Sequence, residues 1–241
     1  MNFELDEEHQ MLKDLVARFV REHLLPLEPA ALALQAATGQ LSLPDDDRAR
    51  LDKLSKELGL WGLDAPQELG GHDLPVTAMV GVNEEFGRTV IPYELAPDSP
   101  NLIMLLRAAN DAQREKYLAP YVRGETQSAI AISEPGAGTD PASLVTRAVR
   151  DGDDWVINGR KIWITRADKA DWTIVMAVTD KPKGVKGGIS AFIVDKGTPG
   201  FVVERRIPMI AGASTYEIRL EDVRVPAAQV LGREGYGFGP M

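Results

Sequence analysis

The chain of 241 residues contains no cysteine. Disulfides, thiolate nucleophiles and cysteine-ligated metals are therefore excluded within it. Histidine is scarce: His9, His23 and His72 are the three present. None stands in a metal-binding pattern such as H-E-x-x-H, and each reads as a helix-surface or loop residue, so no metal ligand is assigned. Basic charge is in deficit, with 27 Lys and Arg against 36 Asp and Glu and a net charge of −9. A nucleic-acid binder normally carries a basic stripe, whereas a local basic pocket for an anionic cofactor stays open. No apolar stretch approaches the ~20 residues of a membrane span. The first residues, Met1-Asn-Phe-Glu-Leu-Asp-Glu-Glu8, are acidic and lack the basic-then-apolar layout of a signal peptide. No G-x-S-x-G, P-loop or complete G-x-G-x-x-G occurs. The expectation is a cytoplasmic protein with no nucleic-acid partner and no membrane span.

What is present supports a sizeable core, since 44% of the residues are hydrophobic. The length suggests one large or two modest domains. Residues Leu12, Leu15, Val16, Phe19 and Val20 repeat at helical spacing, with Asp6 as the cap and Pro26 and Pro29 ending the element. Further helices are predicted from Pro44 to Gly59, from Val76 to Phe86, from Ser99 to Ala109 and from Asp111 to Val122. Beyond Gly124 the period falls from about 3.6 to 2. Trp172 to Val178 reads as a strand covered on both faces, and Ile189 to Val194 and Phe201 to Val203 as further strands. Tyr216, Ile218 and Leu220 alternate with Thr215, Glu217 and Arg219, which predicts one buried and one wet face. The fold class expected is α+β: an N-terminal α-helical bundle over 1–124, then a β-barrel or sandwich domain over 125–232.

Two segments carry candidate chemistry. Ser133-Glu-Pro-Gly-Ala-Gly-Thr-Asp140 follows the apolar run Ala129-Ile-Ala-Ile132. Pro135 fixes one backbone angle, and Gly136 and Gly138 remove side chains that would hold a ligand away. Such a turn is either an ordinary strand-ending loop or a cradle for phosphate or the polar edge of a ring. Next comes Asp154-Trp-Val-Ile157, Asn158-Gly159 and Arg160-Lys-Ile-Trp-Ile-Thr165. Asn-Gly between two strand-like runs predicts a hairpin turn there. Strand alternation puts Trp163 and Thr165 on one face and Ile162 and Ile164 on the other. The pair is either a core Trp beside an edge Thr or a surface for a flat heterocycle.

With Gln113-Arg-Glu-Lys-Tyr-Leu-Ala-Pro120, Glu221-Asp-Val-Arg-Val-Pro226 and Gly232-Arg-Glu-Gly-Tyr-Gly237 in the same order, the chain resembles the acyl-CoA dehydrogenase family of flavoenzymes from about Leu5 to its end. The resemblance implies FAD as cofactor. It implies that Ile130, Ala131, Ile132, Ser133, Gly138 and Thr139 line the flavin, with Gly138 and Thr139 toward the pyrophosphate. Trp163, Ile164 and Thr165 would cover the ring, and Thr139 would also touch the coenzyme A part of the substrate. The activity implied is α,β-dehydrogenation of an acyl-CoA to the 2-enoyl-CoA in fatty acid metabolism. An electron-transfer flavoprotein would be the acceptor, and the full-length form a homo-oligomer. A flavin oxidase or monooxygenase of the same fold, or a non-catalytic subunit of a split assembly, are the alternatives.

Two departures from the family stand out. Its catalytic Glu comes from a third, helical domain, of which residues 233–241 resemble the start. No catalytic residue is therefore assigned, Glu134 being read as structural, and this chain alone is expected to be an inactive fragment. Many members also place Arg where Tyr216 falls, beside a Thr matching Thr215. Tyr216 is read instead as a core strand residue, which puts the usual substrate pocket in doubt.

Overall fold

The computed structural model describes residues 5–97, 101–209 and 214–241. They fall into two compact units, residues 5–97 with 208–209, and residues 101–207 with 214–241. In the first unit, α1 (Glu7–Phe19) starts where the Asp6 carboxylate accepts the His9 amide at 2.8 Å, satisfying a helix-end donor. Val16 and Phe19 are buried and Leu12 and Leu15 pack beside them, as the spacing predicts. The helical path does not end at Pro26. A π turn (Val20–Leu24) and a 3₁₀ turn (Leu25–Leu27) lead into α2 (Glu28–Thr38), with Pro29 in its first turn. A first-turn proline loses no intrahelical bond, which is why it starts a helix here instead of stopping one. Helices α3 (Asp45–Glu57) and α4 (Val76–Phe86) follow. The core of this unit gathers Phe19, Phe86 and Tyr93, with ring centroids 5.8 to 6.3 Å apart.

The second unit opens with α5 (Asn101–Ala108) and with α6 over residues 111–122, which contains a π turn at Arg114–Leu118. The start predicted at Ser99 lies outside the described residues. Gly124 marks the change from helix to strand, yet the compact units divide earlier in the chain, ahead of α5. Among the described residues seven strands make one mixed sheet, curled as a half-barrel. They are β1 (Ser128–Ala131), β2 (Arg147–Asp151), β3 (Asp154–Thr165), β4 (Trp172–Val178), β5 (Ile189–Asp195), β6 (Phe201–Pro208) and β7 (Ser214–Pro226). The order is β1-β4-β2-β3-β7-β6, with β5 also on β4. The expected α+β arrangement of helices followed by a β-domain is thus observed.

One face of β4 sends Val175 and Ala177 into the sheet core with Ala129, Ala131, Ile157, Ile164 and Ile218. On its other face Trp172 meets the edges of Tyr117 and Tyr121 from α6 at 5.7 and 5.4 Å. Strand β4 is buried on both faces, as its unbroken apolar run predicts.

Two readings are corrected. Asn158-Gly159 is no hairpin turn: it lies inside β3, and the true β2–β3 turn is Gly152-Asp153, with Gly152 at φ 62°. Against β7 the register shifts between Ile157 and Gly159, so the Asn-Gly signal marks a bulge. Gly159 is required by a close approach, since a Cβ there would lie 2.3 Å from Thr146 Oγ1 and 2.7 Å from Thr146 Cα. The predicted wet face of β7 is also partly covered. Thr215 and Glu217 are buried. Glu217 accepts from Arg160 Nη1 at 3.2 Å and from Arg205 Nη2 at 2.8 Å, and these long side chains lie over the strand.

Candidate functional site

Strand β1 ends at Ala131 and the glycine-rich segment begins two residues later. Glu134 and Ala137 exchange backbone bonds, N to O at 2.8 Å and 3.1 Å, which folds the segment into a tight turn. Within the described residues, the amides of Ser133, Gly136, Gly138 and Thr139 donate to no acceptor of the chain. A Cβ built on Gly136 or Gly138 would meet nothing within 4 Å. The turn therefore presents a bare row of donors to open space, the arrangement that suits an anion or a polar ring edge.

The side chain of Glu134 points inward and is 4% exposed. Its Oε1 accepts from Thr146 N at 3.0 Å and from Lys161 Nζ at 2.9 Å, and its Oε2 from Val145 N at 2.7 Å. Burial opposes ionisation of this carboxyl, but the Lys161 ammonium and the amide donors outweigh it and hold the group below its ordinary range. Lys161 is 0% exposed, and Nζ donates also to Ile132 O at 2.8 Å. Burial pushes its ammonium down to about 8, against the pull of Glu134. A proton acceptor needs a free lone pair and an approach path; Glu134 has both oxygens engaged and is enclosed.

Strand β3 carries the second segment. A second register shift against β7 falls between Lys161 and Ile164. Trp163 sits in it at φ 64°, left-handed backbone that a bulky residue seldom adopts. The indole is 56% exposed. Arg166, at φ 62°, closes the segment on the other side. Thr165 is exposed and stands opposite Thr215, while Ile164 is buried opposite Tyr216. Strained backbone with an exposed aromatic is a pattern of binding sites.

The two segments are neighbours: Ile162 N donates to Ser133 O at 3.0 Å. Of the residues implied by resemblance, Gly138, Thr139, Trp163 and Thr165 are exposed, and Ile130, Ile132 and Ser133 are half-buried. Ala131 and Ile164 turn into the sheet core, so a ligand would meet them mainly through backbone. Ile130 lies on the opposite face of β1 from Ala131, in register with Ile174. Tyr216 is buried in the core, where burial and the neighbouring Asp168 push its hydroxyl up to about 12. Thr215 Oγ1 is buried and has no partner among the described residues. Gly212 and Ala213, which precede this strand, lie outside the described residues.

The Glu134–Lys161 pair is the feature sequence reasoning missed. The signal was strand parity: Trp155, Ile157, Gly159 and Lys161 share one face of β3. An inward lysine demands an acid.

A helical unit and a curled mixed sheet, with a donor-rich turn beside a strained, exposed aromatic on β3, define an α+β chain of two compact units. Residues 6–125 match the model of the acyl-CoA dehydrogenase N-terminal domain and residues 129–223 that of the middle domain, and the chain belongs to this family. Over its whole length it is 42% identical to (R)-benzylsuccinyl-CoA dehydrogenase of Thauera aromatica, of which it covers 62%. Over 97% of its length it is 37% identical to mitochondrial isovaleryl-CoA dehydrogenase of Pongo abelii, of which it covers 55%. The structure of butyryl-CoA dehydrogenase from Megasphaera elsdenii superposes on all of the chain with a TM-score of 0.82 and 31% identity, 62% of that protein being matched. The chain thus spans little more than half the length of the curated relatives it matches. Among the described residues no helix is long and apolar enough to cross a membrane.

Proposed function

We propose that this chain binds FAD at the Ser133–Asp140 turn and the Trp163–Thr165 strand, and that it serves the oxidation of an acyl-CoA thioester to the 2-enoyl-CoA. The reading is carried by one observation: free amides at Ser133, Gly136, Gly138 and Thr139 adjoin, through the Ser133–Ile162 bond, a strand that exposes a strained Trp163. The amides of Gly138 and Thr139 hold the pyrophosphate, and the Ser133 amide and hydroxyl meet the polar edge of the ring. Trp163 and Thr165 lie against the ring by packing and one hydrogen bond. Thr139 extends toward the coenzyme A moiety. Bound flavin supplies the hydride acceptor for the acyl β carbon. A carboxylate base for the α proton is assigned to no residue of this chain. Electrons pass on to an electron-transfer flavoprotein, and the working assembly is a cytoplasmic homo-oligomer.

The test is titration of the purified chain with FAD, followed by absorbance and by quenching of flavin fluorescence. Saturable uptake supports the reading, and a protein that takes up no FAD refutes it. Product analysis of the loaded protein, completed where needed by the remainder of a full-length relative, separates the chemistry. Enoyl-CoA formed with an acceptor dye supports dehydrogenation, whereas peroxide or a hydroxylated product refutes it.

A further inference from the structure

We propose that Lys161 is a positioning residue for the flavin, its buried ammonium setting both the place and the donor strength of the Ser133 amide. This inference rests on the flavin reading above. Lys161 is 0% exposed, so it acts on a ligand only through other groups. Its Nζ lies 2.8 Å from Ile132 O, the carbonyl of the very peptide whose N–H belongs to Ser133. A cation on a peptide oxygen draws electron density through the amide and makes the N–H at its other end a stronger donor. That N–H is unengaged by the described residues.

The next peptide is fixed from the same strand, because Ser133 O accepts from Ile162 N at 3.0 Å. Two successive residues of β3, Lys161 and Ile162, therefore hold two successive carbonyls of the turn. Glu134 completes the clamp, drawing the amides of Val145 and Thr146 and the Lys161 ammonium onto one carboxylate. An apolar residue at 161 would fill the space but neither hold nor polarise the Ile132 carbonyl. A fully buried ion pair contributes little net stability compared with well-packed apolar groups, so packing alone does not account for a lysine here.

The test compares wild type with the double variant Lys161→Met/Glu134→Gln. The variant removes both charges together and leaves an amide oxygen for Val145 and Thr146. The expected result is a folded protein whose FAD dissociation constant is raised about tenfold and whose visible flavin band is shifted. An unchanged dissociation constant and band shape in the folded variant overturn the proposal. Lysine ε-¹³C NMR of the wild type gives a second test that needs no variant to fold. FAD binding must move the Lys161 resonance, and an unmoved resonance overturns the proposal. A wild-type protein that takes up no FAD overturns the flavin reading and this inference with it. That outcome is distinct from FAD uptake that is indifferent to Lys161.

Discussion

Asn158 and Asp222 hold each other reciprocally across the β3–β7 bulge. The Asn158 Nδ2 donates to Asp222 Oδ1 at 3.0 Å, and Asp222 N donates to Asn158 Oδ1 at 3.0 Å. Asp222 takes a left-handed conformation, φ 49°, to present that amide. Asn158→Ala removes both bonds and is expected to cost about 1–2 kcal/mol. Gly159→Ala is expected to cost more, about 2–3 kcal/mol, because its Cβ would collide with backbone at Thr146. Urea denaturation of both variants checks the order, and a Gly159→Ala protein as stable as wild type would contradict the close approach.

The Lys161–Glu134 pair predicts a two-sided pH dependence of stability. Glu134 titrates below its ordinary value of 4.5 in the fold. Its contribution is present above that value and is lost as pH falls through the folded pKa. Lys161 is lowered from 10.5 to about 8. Between those two values the unfolded chain binds more protons than the folded one, so stability rises with pH there. The expected outcome is that wild-type stability minus that of Lys161→Met/Glu134→Gln falls as pH drops below 4.5 and rises from about pH 8 to 10.5. Denaturation midpoints taken across this range check it, and a flat difference would count against the pair. Lys161→Met alone strands the Glu134 carboxylate and is expected to cost about 3–5 kcal/mol.

Asp195, at the end of β5, gathers three donors. Tyr117 Oη and Lys116 Nζ reach it from α6 at 2.9 and 2.8 Å, and Gln229 Nε2 at 2.9 Å. Asp195→Ala is expected to cost about 1–3 kcal/mol by loosening α6 from the sheet. Burial raises the Tyr117 hydroxyl above its ordinary 10.0, and Asp195 adds to that rise. The same variant should therefore bring the Tyr117 ionisation down, as read by ultraviolet titration of tyrosinate.

Much of the fold was legible because its elements follow periodicity that burial enforces. Val16 and Phe19 share a helix face, and the apolar run of β4 needs cover on both sides. Helix α4 has the bounds that its apolar pattern and Gly87 predict. Turn chemistry was less readable. Asn158-Gly159 satisfies the local preference for a hairpin, but local preference does not register whether the partner strand requires an extra residue. Gly152-Asp153, six residues earlier, made the turn instead. Pro26 and Pro29 look like stops because proline excludes itself from helix interiors, whereas Pro29 occupies a first turn. In the site, the glycine-rich turn and the Trp163 strand were legible in residue type and order. The left-handed backbone of Trp163 was not, since no propensity predicts it: pairing of β3 with β7 on both sides imposes it. Lys161 is hard to read because a charge suggests solvent, although its parity with Trp155 and Ile157 points inward.

Trp163 separates stability from ligand binding. At φ 64° any Cβ is strained, and glycine is not. Trp163→Gly is therefore expected to be more stable than Trp163→Ala by about 1 kcal/mol, the reverse of the usual order in a strand. Both variants lose the exposed indole, and both are expected to weaken FAD retention by about two- to tenfold, the share of one aromatic contact. Thr165→Ala, which removes one hydroxyl, is expected to weaken it by a similar factor. Thermal melts of the FAD-free proteins and FAD titrations measure the two effects independently. An Ala variant more stable than the Gly variant would remove the case for backbone strain at Trp163. Unchanged FAD affinity in all three would place the flavin elsewhere.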